Sequence, residues 1–112
     1  MEGPQPSWVE QWQAIATDAS KGVMGVSTYQ PSPDASVAAA ISDCRAKGGS
    51  NCRIEISYGN GCVAMVFGNS LKNTAGAETK EAAENKAMVD CAKDDTNCHV
   101  YYSSCSKAKR VQ

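Results

Sequence analysis

Stretches of alternating apolar and polar residues recur along this chain of 112 residues and predict β-strands. Between residues 53 and 58, Ile54 and Ile56 alternate with polar side chains, which is typical of a strand with one buried and one solvated face. The turn at 59–61, with the sequence Gly-Asn-Gly, is typical of a β-hairpin because both residue types tolerate a positive φ. Further strand-like stretches cover residues 12–17, 23–29, 62–68, 72–77 and 98–105.

Two alanine-rich stretches show the spacing of helices instead, and they predict an internal duplication. Ser32 and Thr79 stand in front of these stretches, in the place where a hydroxyl side chain caps a helix N-terminus. The offset that places residues 40–44 on residues 87–91 aligns two apolar stripes, each of which closes on a cysteine. The order strand, strand, helix, strand is therefore expected to occur twice.

This order predicts an α+β domain in which a mainly antiparallel sheet carries two packed helices. The domain is expected to cover residues 11–106, with halves of about 11–60 and 61–106, and the strand order in the sheet stays open. Trp12 alternates with Ala14 and Ala16 and is expected to lie in the core. Flexible segments are expected at residues 1–10 and in the basic tail, residues 107–112.

Composition and charge disfavour several classes of function. The formal net charge is -1 and the sequence pI is about 5.7, so the chain lacks the basic balance of proteins that bind nucleic acid or acidic membranes. No apolar stretch is long enough to cross a bilayer. The sequence therefore predicts no nucleic-acid partner and no membrane span, and it leaves the oligomeric state open.

Six cysteines predict three disulfide bonds and an oxidising compartment. Within each half, one cysteine ends the helix and the next begins the following strand, so we expect the bonds Cys44–Cys52 and Cys91–Cys98. The remaining two cysteines lie at matching places in the two halves, so we expect the bond Cys62–Cys105. The spacing within each pair is wider than zinc ligands prefer. A helix C-terminus also disfavours a reactive thiolate. We expect three structural bridges, no metal and no cofactor.

The sequence contains no recognisable catalytic set, and its candidate functional residues are candidates for partner binding. There is one histidine, His99, and no Gly-x-Ser-x-Gly motif, while Asp94 and Asp95 are expected to form a solvated turn. Tyr101 and Tyr102 are neighbours on a strand, so one ring is expected in the core and the other at the surface. The candidates for partner contact are Trp8, His99, Tyr101 and Tyr102.

Four stretches resemble one bacterial family of unknown function. They are WQAIATDASKGVMGVST from Trp12, a helix that ends on Cys44, CRIEISYGNGCVAM from Cys52, and EAAENKAMVDC from Glu81. Together they resemble the bacterial domain of unknown function (DUF) family 4189, from about Trp12 to Cys105. Residues 72–77 depart from it, because they lack the glycine- and aromatic-rich strand usual there. The resemblance implies an exported protein, periplasmic or secreted, with no established enzymatic activity and no catalytic residues.

These observations favour a non-enzymatic exported bacterial binding protein whose partner is another protein. An immunity protein, or an inhibitor of a secreted toxin or effector, is the leading hypothesis. The alternatives are a secreted effector and an envelope module that binds cell-wall polysaccharide. An exposed aromatic platform facing one groove would favour sugar binding, whereas His99 beside a carboxylate would favour an enzyme. Since residues 1–12 lack the features of a secretory signal, a signal peptide is expected to precede this chain before export.

Overall fold

The computed structural model describes residues 7–110, which contain eight β-strands and two α-helices. In chain order these are β1 (Trp8–Val9), β2 (Trp12–Asp18), β3 (Val23–Gln30), α1 (Pro33–Ala46), β4 (Arg53–Gly59), β5 (Gly61–Phe67), β6 (Lys72–Ala77), α2 (Lys80–Asp94), β7 (His99–Ser106) and β8 (Lys109–Arg110). The predicted α+β class is confirmed, and residues 72–77 form a strand.

The six long strands form two separate antiparallel sheets with the same connectivity. In the first sheet β2 lies between β3 and β4, and in the second sheet β5 lies between β6 and β7. The expectation of one continuous sheet is therefore wrong, because β4 and β5 do not pair. The order of elements does occur twice, but duplication of the sequence itself stays a prediction.

The turn at residues 59–61 joins the two sheets and is not the hairpin that the sequence predicts. Asn60 adopts a φ of 59°, as expected, but its hydrogen bonds go elsewhere. Its N–H donates to the carbonyl oxygen of Gln11 at 2.8 Å, and its Oδ1 accepts from the N–H of Gln11 at 3.0 Å. These two bonds fix the turn against the segment before β2, so the chain passes from one sheet into the other.

The two sheets pack face to face between the two helices, which gives four layers. Side chains alternate between the faces of a strand, so neighbours along β2 and β5 enter different layers. The layer between the sheets is built around Ile15, Val63 and Met65. The layers under α1 and α2 consist mainly of small side chains: Ala14, Ala16, Ala40 and Cys44 in the first, and Cys62, Ala64, Val66, Ala75, Ala83, Ala87 and Cys91 in the second.

Small residues on α1 and β3 let the helix approach its sheet closely. A Cβ added at Gly25 on β3 would lie 2.2 Å from the backbone nitrogen of Cys44 on α1. The helix therefore rests directly on the strand backbone, and alanine at position 25 would push the two apart. Trp12, which was expected in this layer, is only half-buried, and its Nε1 donates to Glu10 Oε1 at 3.2 Å.

The helix ends and the disulfide bonds lie where the sequence places them. Ser32 and Thr79 each accept a backbone N–H at 3.1 Å and cap α1 and α2. Cys44–Cys52 and Cys91–Cys98 each join the end of a helix to the start of the next strand, and Cys62–Cys105 joins directly opposite residues of β5 and β7. All cysteines are thereby paired.

The outermost described strands, β1 and β8, pair with each other as a short antiparallel ribbon. Trp8 lies opposite Arg110, and Val9 lies opposite Lys109. Both strands fall within the segments that were expected to be flexible, and backbone pairing gives them regular structure that composition does not indicate. Of those segments, residues 1–6 and 111–112 lie outside the described residues. Neither helix is long and apolar enough to cross a membrane.

Candidate functional site

A cleft of about 490 Å³ opens at one end of the two sheets, where β2 and β5 finish. We call it the end cleft. The turn between β2 and β3 and the turn between β5 and β6 form two of its sides, and the start of β7 forms another. Its lining includes Thr17, Asp18, Phe67, Leu71, Lys72, His99 and Tyr101. A side cleft of about 330 Å³ shares Thr17, Asp18 and Lys72 with it and extends to Arg53 and Glu55.

A stacked aromatic pair lines the end cleft. The rings of Phe67 and Tyr101 stack with their centroids 4.5 Å apart, yet Tyr101 remains 54% exposed. A β-bulge sets this position, because the pairing of β5 with β7 shifts between Met65 and Val66 and leaves Tyr101 without a partner. Tyr102 packs against the layer between the sheets instead. Because of the bulge, Tyr101 therefore lies in the end cleft and Tyr102 lies between the sheets.

A polar cluster joins the two sheets where the two clefts meet. Thr17 on β2 donates a hydrogen bond to Glu55 on β4, and Lys72 of the other sheet lies 3.0 Å from Glu55 Oε2. The Lys72 Nζ also donates to Thr17 Oγ1 at 3.3 Å. Glu55 reaches this cluster from a second bulge, because the pairing of β2 with β4 shifts between Ile15 and Ala16. Bulges thus shape both sheets beside the clefts.

The carboxylate of Asp18 fixes the first turn of the end cleft. It is 1% exposed and accepts hydrogen bonds from the Ser20 hydroxyl at 2.6 Å and from the backbone of Lys21 at 3.3 Å. Its other oxygen accepts from the backbone N–H groups of Ser50 and Asn51 at 2.8 and 2.9 Å. These hydrogen bonds hold the pKa of the Asp18 carboxyl well below its ordinary value. The largest effect comes from the Ser20 hydroxyl, and the next come from the N–H groups of Asn51 and Ser50.

Asp95 fixes the second turn in the same manner. Its carboxylate accepts from the backbone N–H groups of Ser70 at 2.8 Å, Leu71 at 2.7 Å and Thr96 at 2.8 Å. These bonds, that of Ser70 first, lower the pKa of the Asp95 carboxyl. The sequence predicts a solvated turn for Asp94 and Asp95, but Asp94 is the exposed last residue of α2, and Asp95 after it is half-buried with its carboxylate bonded to backbone N–H groups. Both walls of the end cleft are therefore held by ionised carboxylates.

The candidate residues from the sequence do not form one site. His99 and Tyr101 both line the end cleft, whereas Tyr102 lies between the sheets. Trp8 is on β1, near the start of β2, and so lies at the opposite end of the molecule. The residues that sequence reasoning missed, Phe67, Leu71, Lys72 and Glu55, carry no signal of their own, because bulges and sheet packing bring them together.

The geometry of the end cleft is suited to binding. It combines a stacked aromatic surface with polar groups from both sheets. The His99 Nδ1 lies 3.2 Å from the Asn97 carbonyl oxygen, and no hydrogen bond joins His99 to a carboxylate within residues 7–110. In the same part of the chain, no three His, Cys, Asp or Glu side chains are grouped so that they could hold a metal ion.

Comparison with protein families gives one match. A family model described as "Domain of unknown function (DUF4189)" matches residues 12–105, which are most of the chain. The matched segment runs from the first residue of β2 to Cys105 on β7, so it contains both sheets, both helices and all three disulfide bonds. No curated protein and no solved structure matches the chain.

Proposed function

This chain belongs to the DUF4189 family, and we propose that it is a non-enzymatic binding protein that works outside the bacterial cytoplasm. Three disulfide bonds in a small domain support this location, because such bonds persist in oxidising compartments such as the periplasm. The family description names no activity, so the proposal rests on the chemistry of the end cleft.

The observation that carries the proposal is the exposed Tyr101 ring on its Phe67 support. Tyrosine is enriched at protein interfaces because it offers a large, rigid contact area and a hydroxyl for hydrogen bonding. Leu71, which is 46% exposed, extends the apolar surface along the same cleft. An exposed aromatic and aliphatic surface in a concave site with a polar rim is typical of a place where another molecule docks.

The end cleft is also rigid before a partner arrives. Asp18 and Asp95 tie its two turns to the loops before β4 and β7, and Cys44–Cys52 and Cys91–Cys98 fix those loops to the helices. A preorganised site loses little conformational entropy on binding. We infer that the cleft receives a segment of a protein partner, and that the partner is a secreted toxin or effector which this protein neutralises as an immunity protein or inhibitor.

Affinity capture with matched variants tests the proposal. Immobilised wild-type protein and the variants Tyr101→Ala and Val89→Ala are exposed to envelope and secreted extracts of the source organism. Val89 is an exposed apolar residue on α2, outside the end cleft, and serves as the control. We expect one protein to be retained by the wild type and Val89→Ala, and its affinity to fall at least tenfold with Tyr101→Ala.

Identification of the captured protein and cross-linking to the cleft complete the test. A cross-link from the turn at residues 68–71 to that protein would support docking in the end cleft. Retention that is equal for all three proteins would contradict it, as would the absence of any protein specific to the wild type.

A second candidate function, recognition of a cell-wall polysaccharide, is favoured by the same aromatic pair. A sugar ring stacks on an aromatic face, and side chains such as Asn69, Lys72 and Arg53 line the adjoining clefts and offer hydrogen bonds to hydroxyl groups. Titration calorimetry with soluble peptidoglycan and polysaccharide fragments distinguishes the two functions. Glycan binding that Tyr101→Ala abolishes would favour this candidate, and no heat with any fragment would leave the protein partner as the explanation.

A further inference from the structure

The end of the molecule opposite the end cleft carries a small surface that is both aromatic and basic. The β1–β8 ribbon places Trp8 opposite Arg110 and Val9 opposite Lys109. Directly opposite residues of an antiparallel pair share a face, so each face of the ribbon presents one apolar and one cationic side chain. Trp8 is 63% exposed and Val9 is 43% exposed. We call this element the basic ribbon.

A second exposed aromatic residue lies beside the basic ribbon. The backbone N–H of Tyr29 donates to the hydroxyl of Ser106 at 2.9 Å, which places the end of β3 against the end of β7. Ser106 directly precedes Lys107, and the chain then enters β8. Tyr29 is 61% exposed and has a φ of 54°, an uncommon conformation for a tyrosine. Two exposed aromatic side chains and three cations therefore lie at this end of the molecule.

We propose that the basic ribbon docks on an anionic phospholipid surface. Tryptophan and tyrosine favour the headgroup level of a bilayer, where the ring is partly buried and its polar atom stays hydrated. Lysine and arginine next to them bind the phosphates of anionic lipids. Trp8 and Val9 distinguish this partner from a soluble polyanion, because a polyanion offers no apolar layer for their side chains.

Charge distribution supports the same partner. Three of the eleven Lys and Arg residues lie between positions 107 and 110, in a chain whose formal net charge is -1. The sequence alone indicates a solvated basic tail, whereas the structure couples that tail to Trp8 through backbone pairing. β2, which runs from this end to the end cleft, is seven residues or about 20 Å long. A protein docked by the ribbon would thus hold the end cleft away from the membrane.

Vesicle binding by the full chain tests this proposal. Co-sedimentation is measured with phosphatidylcholine vesicles, with and without phosphatidylglycerol, for the wild type and for Lys107→Gln/Lys109→Gln. We expect binding only to the anionic vesicles, with a partition coefficient that falls about 25-fold in the double variant, since each cation near an anionic surface contributes about fivefold. Added salt is expected to weaken the binding as it screens these charges.

Matched variants separate this surface from a general charge effect. Lys80→Gln/Lys93→Gln removes two exposed charges from α2 and is expected to leave binding unchanged. Trp8→Ala is expected to weaken binding and to abolish the blue shift of tryptophan fluorescence on vesicle addition, whereas Tyr101→Ala is expected to do neither. Equal loss in both lysine variants, binding to neutral vesicles alone, or binding to heparin but not to vesicles would overturn the proposal.

Discussion

At the scale of single residues, a carboxylate lies at an equivalent place in each half of the fold, but the two carboxylates come from different parts of the chain. Ala16 on β2 and Val66 on β5 lie in the layers under their helices, and two positions further along the chain come Asp18 in the first half and Gly68 in the second. A Cβ added at Gly68 would lie 2.4 Å from Oδ2 of Asp95. The carboxylate of Asp95 therefore occupies the space that an aspartate side chain at position 68 would fill.

Exchange of these two residues tests that equivalence. Gly68→Asp alone is expected to lower the urea midpoint because two carboxylates would collide, and Asp95→Gly alone because the N–H groups of Ser70 and Leu71 would lose their acceptor. The double variant Gly68→Asp/Asp95→Gly is expected to recover a midpoint above either single variant. A double variant less stable than both would show that the two carboxylate positions are not interchangeable.

At the scale of elements, side chains at the C-terminal end of α1 also cover an exposed strand edge. The carboxylate of Asp43 accepts the backbone N–H of Val26 at 2.9 Å, and Lys47 donates to the carbonyl oxygen of Met24 at 3.2 Å. Both hydrogen bonds to the Asp43 carboxyl lower its pKa, and the one from Lys47 has a larger effect than the one from the Val26 N–H. The side chains of Asp43 and Lys47 thus satisfy backbone groups on the free edge of β3. This edge is therefore less able to pair with a strand of another chain.

Disulfide bonds connect these elements over different lengths of chain, and their contributions to stability should differ accordingly. We expect Cys91→Ala/Cys98→Ala to lower the free energy of unfolding by about 2.5 kcal/mol, and Cys62→Ala/Cys105→Ala by about 4 kcal/mol, because the second bond closes a loop of 43 residues rather than 7. Urea denaturation followed by circular dichroism measures both. Each variant removes two cysteines, one fully buried and one partly buried, so the packing loss is comparable. An equal or reversed order would contradict the loop-length explanation.

At the scale of the whole molecule, the two sheets depend on each other. Each sheet buries one face against its helix and the other against the second sheet, through Ile15 in the first and Val63 and Met65 in the second. The Thr17–Glu55–Lys72 cluster crosses this interface at the edge of the end cleft. Neither half would bury both faces alone, so we expect the domain to unfold as one unit.

A double-mutant cycle across the interface measures the polar part of this coupling. For Glu55→Gln and Lys72→Met we expect a coupling free energy of about 1 kcal/mol, because the ion pair is partly buried and joins separate sheets. The pair Asp90–Lys93 on α2, 3.7 Å apart and largely exposed, is the control, and its coupling is expected to be near zero. Equal coupling in the two cycles would show that the sheet-to-sheet contact has no special role.

The sequence by itself determined the features that depend on neighbouring residues. The caps at Ser32 and Thr79, the paired order of elements and the connection of each helix end to the next strand all follow from local patterns and spacing. The sequence also predicted that one of Tyr101 and Tyr102 would be exposed, and it identified His99 as a candidate for partner contact. It did not show that His99 and Tyr101 line the same cleft.

Only the tertiary structure decided how the halves meet and where the candidate site lies. The break between β4 and β5 depends on Asn60 bonding to Gln11, which is distant in sequence. The end cleft depends on two bulges and on the packing of one sheet against the other, and the basic ribbon depends on pairing between the two outermost described strands. Each of these is a long-range contact, and alternation along a strand shows which residues share a face but not which face meets which partner.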